Sequence, residues 1–284
     1  MRVKFLLTMG IVAASMLAVT VAVTQQSGVV QGQQWGKKSG HPGEGELDWT
    51  TGVLTATGIG VINPKAINVA QARAGCIMAA TRYAQRNLLE MIQGVNIDSE
   101  TTVENFITTS DIIRTNVQGV LRGAYPVGEP VYKADGSCEV TYAIKISGPL
   151  ANAILPPTGF GGNQQEIPQG PQKVYSGLII DALGLGAVPA MSPKILDPDG
   201  NEVYGASFIS RDYAVEQGVV GYAKNVEQAR QNDRVGSSPL IIKGIKVSGS
   251  KGADIVISKE DAAKLQDPKI DFGFLKECRV IIVL

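Results

Sequence analysis

The longest periodic pattern runs over residues 66–93. Ala70, Ala74, Ile77, Ala84, Leu88 and Met91 recur at helical spacing, with Arg73, Arg82 and Arg86 mostly away from them. The pattern predicts a helix, and its many alanines suit close approach to a sheet. Pro64 stands near its start and Gly94 is placed to cap its end. Before it, residues 47–57 read as a strand, followed by a Gly58-Ile59-Gly60 break. After it, residues 95–97 read as a short strand or crossover. Ile112, Ile113, Val117, Val120 and Leu121 mark a second, shorter helix. Residues 125–147 read as a hairpin turning at Ala134-Asp135-Gly136-Ser137. Its return strand sets Cys138, Val140, Tyr142, Ile144 and Ile146 against an outer face of Glu139, Thr141 and Lys145.

The stretch 156–172 (PPTGFGGNQQEIPQGPQ) is a Pro/Gly/Gln linker and the clearest internal boundary. Beyond it, residues 174–182 form an apolar strand pattern. Residues 194–204 form a hairpin around Asp197-Pro198-Asp199-Gly200. Residues 210–232 are weakly helical, and Gly218 and Gly221 argue against one continuous helix. Residues 240–247 and 279–284 read as strands. Ser258-Lys259-Glu260-Asp261 matches a capping box ahead of residues 262–266, and Pro268 stops that helix. The expected fold class is α+β: two small domains, 47–155 and 173–284, each a sheet packed with helices, behind an N-terminal signal or anchor segment.

Residues 1–23 have the layout of an export signal, with Arg2 and Lys4 ahead of an uncharged run from Phe5 to Val23. Small residues at Thr20-Val21-Ala22 offer a cleavage point. The run nearly reaches the ~20 residues of a membrane-spanning helix. An uncleaved inner-membrane anchor through residues 5–23 therefore stands beside the favoured cleaved signal. Residues 24–46, rich in Gln and Gly, read as a flexible linker. The 284 residues carry 26 basic and 26 acidic side chains. Without a net positive charge the chain lacks the electrostatic footprint for nucleic acid.

Chemistry-bearing residues are scattered. The single histidine, His41, falls in the linker, which argues against Ser- or Cys-His catalysis. Cys76, Cys138 and Cys278 lack zinc-site spacing and read best as three small buried hydrophobes. A Cys76–Cys138 disulfide is the alternative, if the long helix packs on that strand. Gly58 and Gly60 mimic the start of a dinucleotide fingerprint, but Asn63 stands where the third glycine belongs, and a turn is the better reading. Asp98, Glu100, Glu104 and Asp111 form an acidic stretch that reads as caps and turns, with acid/base work or calcium as the weaker option. Asp197–Gly200 reads as a turn rather than a calcium loop. Arg73, Arg82 and Arg86 read as a solvated stripe, with docking as the lesser reading. No catalytic, cofactor-binding or metal-binding residue is assigned, and no cofactor is expected.

Residues 70–124 resemble the LPP-twenty family of bacterial envelope lipoproteins, which includes flagellar FlgP-like members. The shared features here are Arg86-Asn87-Leu88-Leu89-Glu90, Ile92-x-Gly94-Val95, the run Asp98 to Val103, Ser110-Asp111-x-Ile113-Arg114, Val117-x-Gly119 and Gly123-Ala124, then the Asp135-Gly136 strand turn. The similarity spans roughly residues 48–154. It implies a non-enzymatic, exported α+β domain of the periplasm or outer membrane, associated with flagellar or surface assembly through envelope partners or self-association. The chain departs from the lipoproteins in having no cysteine for acylation near the apolar run. The alternative is a periplasmic module binding a peptidoglycan fragment or small molecule, with Trp49, Tyr175 and Tyr204 as stacking candidates.

Overall fold

A computed structural model describes residues 45–162, 173–267 and 269–284. The expected export segment, His41 and the core of the 156–172 linker lie outside the described residues, as does Pro268. The fold class is α+β, with sheets packed against helices.

Strands β1 (Gly45–Asp48) and β2 (Val53–Val61) pair antiparallel, where the pattern predicted one strand over 47–57. Asp48 creates the reversal. Its carboxylate accepts the Thr50 N–H and the Thr51 hydroxyl, both at 2.9 Å, and Gly52 adopts positive φ. Gly45 and Glu46 pair with Ala56 and Thr55, so the strand begins inside the stretch read as linker.

Helix α1 (Val69–Gln93) starts at Asn68, whose side chain accepts the Gln71 N–H, and ends at Gly94. Its buried face is Cys76, Ala80, Ala84, Leu88 and Ile92, not the face through Ala70 and Ala74, which are exposed. The difference is one of phase: the helix turns its smallest side chains to β2, where Gly58 and Gly60 sit. Neither glycine takes positive φ; both lie within the strand, so the expected turn is absent. Their role is to let α1 approach the sheet.

Where one shorter helix was expected there are two, α2 (Val103–Thr109) and α3 (Asp111–Arg122), separated by Ser110, whose hydroxyl accepts the Ile113 N–H. The hairpin of β3 (Tyr125–Tyr132) and β4 (Ser137–Lys145) turns at Gly136 as expected. The first sheet has the order β1-β2-β4-β3, all antiparallel. The short helix α4 (Pro149–Ile154) follows.

The second half is built on β5 (Lys173–Val174), β6 (Leu178–Asp181), β7 (Ile195–Leu196), β8 (Glu202–Tyr204), α5 (Arg211–Gln217), β9 (Gly221–Ala223), α6 (Val226–Arg230), β10 (Leu240–Ser248), β11 (Asp254–Ile257), α7 (Lys259–Leu265), β12 (Ile270–Asp271), α8 (Gly273–Lys276) and β13 (Val280–Val283). Gly218, at positive φ, ends α5, and β9 interrupts the segment read as weakly helical. Ser258 caps α7, accepting the Asp261 N–H at 3.0 Å. Seven strands order as β8-β7-β11-β10-β6-β13-β9, and β10, β6, β13 and β9 are mutually parallel.

Such a parallel centre must be covered on both faces, which explains the unbroken apolar runs of β6 and β13. Ile179, Ile281 and Val283 point to a small core with Ala229 of α6 and Val235. Leu178, Ile180, Val280 and Ile282 point the other way, into a core continuous with Leu54, Leu88, Ile92 and Ile144 of the first sheet. The two sheets therefore share one hydrophobic interior.

Candidate functional site

The acidic stretch does not converge. Asp98 accepts the backbone N–H groups of Glu100 and Thr101, at 2.8 and 2.7 Å. Asp111 pairs with Arg114 at 2.9 Å, and Glu104 is exposed in the first turn of α2. Glu100 accepts the Ser250 N–H at 2.9 Å, and this bond holds its carboxyl below the ordinary range.

What this loop does is join the two sheets. Ser99 is 2% exposed. Its hydroxyl accepts the Asp254 N–H at 2.8 Å and donates to the Ser248 carbonyl at 3.2 Å, bridging the two strands at the turn end of the β10–β11 hairpin. Its own carbonyl accepts the Lys251 N–H and the Ser250 hydroxyl, each at 2.9 Å. Met191 and Ser192 donate to the carbonyls of Asn96 and Ile97. Nothing local in the sequence marks Ser99 for this role, because every partner lies about 150 positions away.

The basic stripe is divided. Arg73 stacks over the Tyr132 ring, 5.3 Å from its centroid, and Arg86 pairs with Glu90 at 3.1 Å. Asp197 accepts the N–H groups of Asp199 and Asn201, as a turn aspartate does. Cys76 and Cys138 form a disulfide between α1 and β4, correcting the reading of three free thiols; the packing it required is present. Cys278 is free and buried, and burial pushes its thiol up to about 11. It takes positive φ and lies just ahead of β13.

Of the three stacking candidates, Tyr204 is fully buried, its hydroxyl donating to the Val219 carbonyl at 2.6 Å; burial raises its pKa well above the ordinary phenol. Tyr175 packs at the edge of the core. Trp49 lines a cavity. The cavity measures about 120 Å³ and lies at the seam of the two sheets. Residues 49–52, Ile146, Ala151 and Leu155 come from the first half, and Ala190, Met191, Gln217, Tyr222 and Arg234 from the second. Trp49 meets Tyr222 edge-on, with ring centroids 5.3 Å apart. Tyr222 is held by Ala190, donating to its carbonyl at 2.8 Å and accepting its N–H at 2.9 Å.

Arg234 closes one end. Its Nε donates to the Cys278 carbonyl at 2.7 Å, Nη1 to the Gln217 carbonyl at 2.9 Å and Nη2 to the Gly218 carbonyl. Burial lowers its pKa, and no carboxylate among the described residues pairs with it. No group of three or more His, Cys, Asp or Glu among the described residues is placed to hold a metal ion. No helix among them is long and apolar enough to cross a membrane.

A family model described as Treponema pallidum Tp0624, second domain, matches residues 177–284. That region runs from just before β6 to the C-terminus, well under half of the chain. No curated protein matches the chain.

Proposed function

We propose that this chain is a non-enzymatic structural or interaction protein exported to the bacterial cell envelope, acting in the periplasm or at the outer membrane in flagellar or surface assembly. The observation that carries the reading is the apolar end of the first half. Val61 is 70% exposed, Ile67 88% and Val69 67%. The Ile62 N–H donates to the Gly136 carbonyl, which brings the β3–β4 turn, with exposed Val131 and Tyr132, to the same end. Several large apolar side chains left exposed at one end of a folded protein suit a contact site. The Cys76–Cys138 bond supports export, since such bonds persist in oxidising compartments. The leader-like N-terminus, the LPP-twenty resemblance over residues 48–154 and the match to a domain of a bacterial protein support the same reading.

The edge strand β3 is itself poorly suited to pairing with a partner strand. Pro126 and Pro130 remove two backbone donors, a common protection of sheet edges. The contact is therefore expected through side chains at the helix end. The test is light scattering and crosslinking of the mature protein with and without envelope extract. Wild type is expected to self-associate or capture an envelope protein, and Ile67→Ser/Val69→Ser to lose that association at unchanged melting temperature. A wild-type protein that stays monomeric and captures nothing would overturn the reading.

A further inference from the structure

We infer that the seam cavity is a binding site for a small organic monocarboxylate, with Arg234 as the group that reads its charge. The inference stands apart from the envelope reading, which neither requires nor excludes it.

The cavity supplies an apolar body site and one charged end. Trp49, Ile146, Leu155 and Met191 form apolar wall. The Trp49 ring is fixed by its edge-on contact with Tyr222, and Tyr222 is fixed by two hydrogen bonds to Ala190. An aromatic wall that cannot swing is preorganised, so an occupant loses little to ordering it. The volume of about 120 Å³ is close to that of the engineered apolar cavity, about 150 Å³, that takes up benzene. An occupant of about the size of one six-membered ring is therefore the right scale.

The charged end selects the class. A guanidinium has five N–H groups in a planar fork. Three of those on Arg234 are directed at the carbonyls of Cys278, Gln217 and Gly218. Those bonds hold the side chain in place and satisfy the carbonyl end of α5, but all three acceptors are neutral. Two N–H groups and the full positive charge are left over. No Asp or Glu lines the cavity among the described residues. A neutral occupant gains less from that charge than an anion does, and a cation is repelled by it. One positive charge is balanced by one carboxylate, whose two oxygens match the geometry of a guanidinium.

The site also explains a feature of the seam. The cavity draws its walls from both halves of the chain, so an occupant touches the β1–β2 turn and the end of α5 together. Bound carboxylate should therefore brace the two halves, and stability should rise with ligand concentration by mass action.

The experiment uses benzoate, with benzamide as its neutral isostere. The reporter is Trp49 fluorescence in a full-length Trp35→Phe chain, because Trp35 and Trp49 are the only tryptophans. Benzoate is expected to give a saturable change and to raise the melting temperature. Benzamide is expected to bind at least about tenfold more weakly, the scale of one lost charge-assisted bond. Arg234→Gln is expected to abolish the difference between the two. Should that variant fail to fold, the benzoate–benzamide comparison on the unaltered site still decides the matter. Equal binding of the two compounds would overturn the inference, as would the absence of a saturable response to either at millimolar concentration.

Discussion

Gly58 lies against the backbone of Ala80: a Cβ added to Gly58 would come within 1.9 Å of the Ala80 carbonyl oxygen and 2.3 Å of the Ala84 nitrogen. Gly60 repeats the relationship one helical turn earlier, 2.1 Å from the Cys76 carbonyl oxygen. The contact of α1 with β2 is thus backbone on backbone. Gly58→Ala is expected to force the helix away and to cost about 1–3 kcal/mol or more. Gly75, on the exposed side of α1 with nothing within 4 Å of an added Cβ, is the control. Gly75→Ala should stabilise the protein by about 0.5–1 kcal/mol through helix propensity. Urea unfolding of the two variants measures both; equal midpoints would contradict the packing argument.

The Cys76–Cys138 bond ties the same helix to β4 across 62 positions of sequence. Its loss in Cys76→Ala/Cys138→Ala should cost about 2–5 kcal/mol. Thermal melts with and without reductant check this: wild type should shift and the double variant should not. A thiol titration of unreduced, denatured protein should find only the Cys278 thiol. In the native state Cys278 should resist alkylation, since it is buried and its thiol is pushed up to about 11.

Ser99→Ala removes the hydroxyl that serves both Asp254 N–H and the Ser248 carbonyl. One buried donor is left without a partner, at an expected cost of about 1–3 kcal/mol. Hydrogen exchange should localise the loss to the loop around Ser99 and the β10–β11 hairpin. Protection unchanged at Asp254 would show that the bond contributes nothing.

Asp254 gives the protein an unusual pH response. Burial raises its carboxyl pKa above the ordinary 3.8, even though it accepts the Lys194 N–H. The native state therefore holds this proton more tightly than the unfolded chain. Between the raised native value and 3.8, its contribution to stability grows as pH falls, and above the native value the ionised group is a burden. Asp254→Asn should be as stable as wild type or more so at neutral pH, with the gap closing toward pH 4. A variant that is less stable at neutral pH by an amount independent of pH would show that the charge is favourable where it lies.

Local rules were legible wherever the causes are local. The Gly136 and Gly200 turns, the Ser258 cap and the stop at Gly218 each depend on residues within four positions, and the structure holds them as the pattern predicts. The α1 face was legible at Ala84 and Leu88 but not at Ala70 and Ala74, because alanine is compatible with burial and exposure alike. Ala80 and Ala84 are distinguished from Ala70 and Ala74 only by lying opposite the in-strand glycines. The β1–β2 turn was missed because Asp48 works through side-chain bonds inside an otherwise strand-like run.

The residues of the seam had no local signature at all. Ser99 is an ordinary polar side chain in a short loop and Arg234 one in a single 3-10 turn, and their partners lie far away in sequence or sit on backbone carbonyls. Of the aromatic candidates, only packing separates Trp49, which lines the cavity, from Tyr204, which is enclosed in the core.

The α+β class, the long helix α1, the turns at Gly136 and Gly200 and the apolar runs of β6 and β13 were determined by the sequence alone, because turn chemistry and hydrophobic period act over a few residues. Tertiary structure decided the pairing of Cys76 with Cys138, the reason for Gly58 and Gly60, the latch at Ser99 and the cavity closed by Arg234. Each of these depends on which distant backbone comes to lie alongside, and no window of sequence contains both partners.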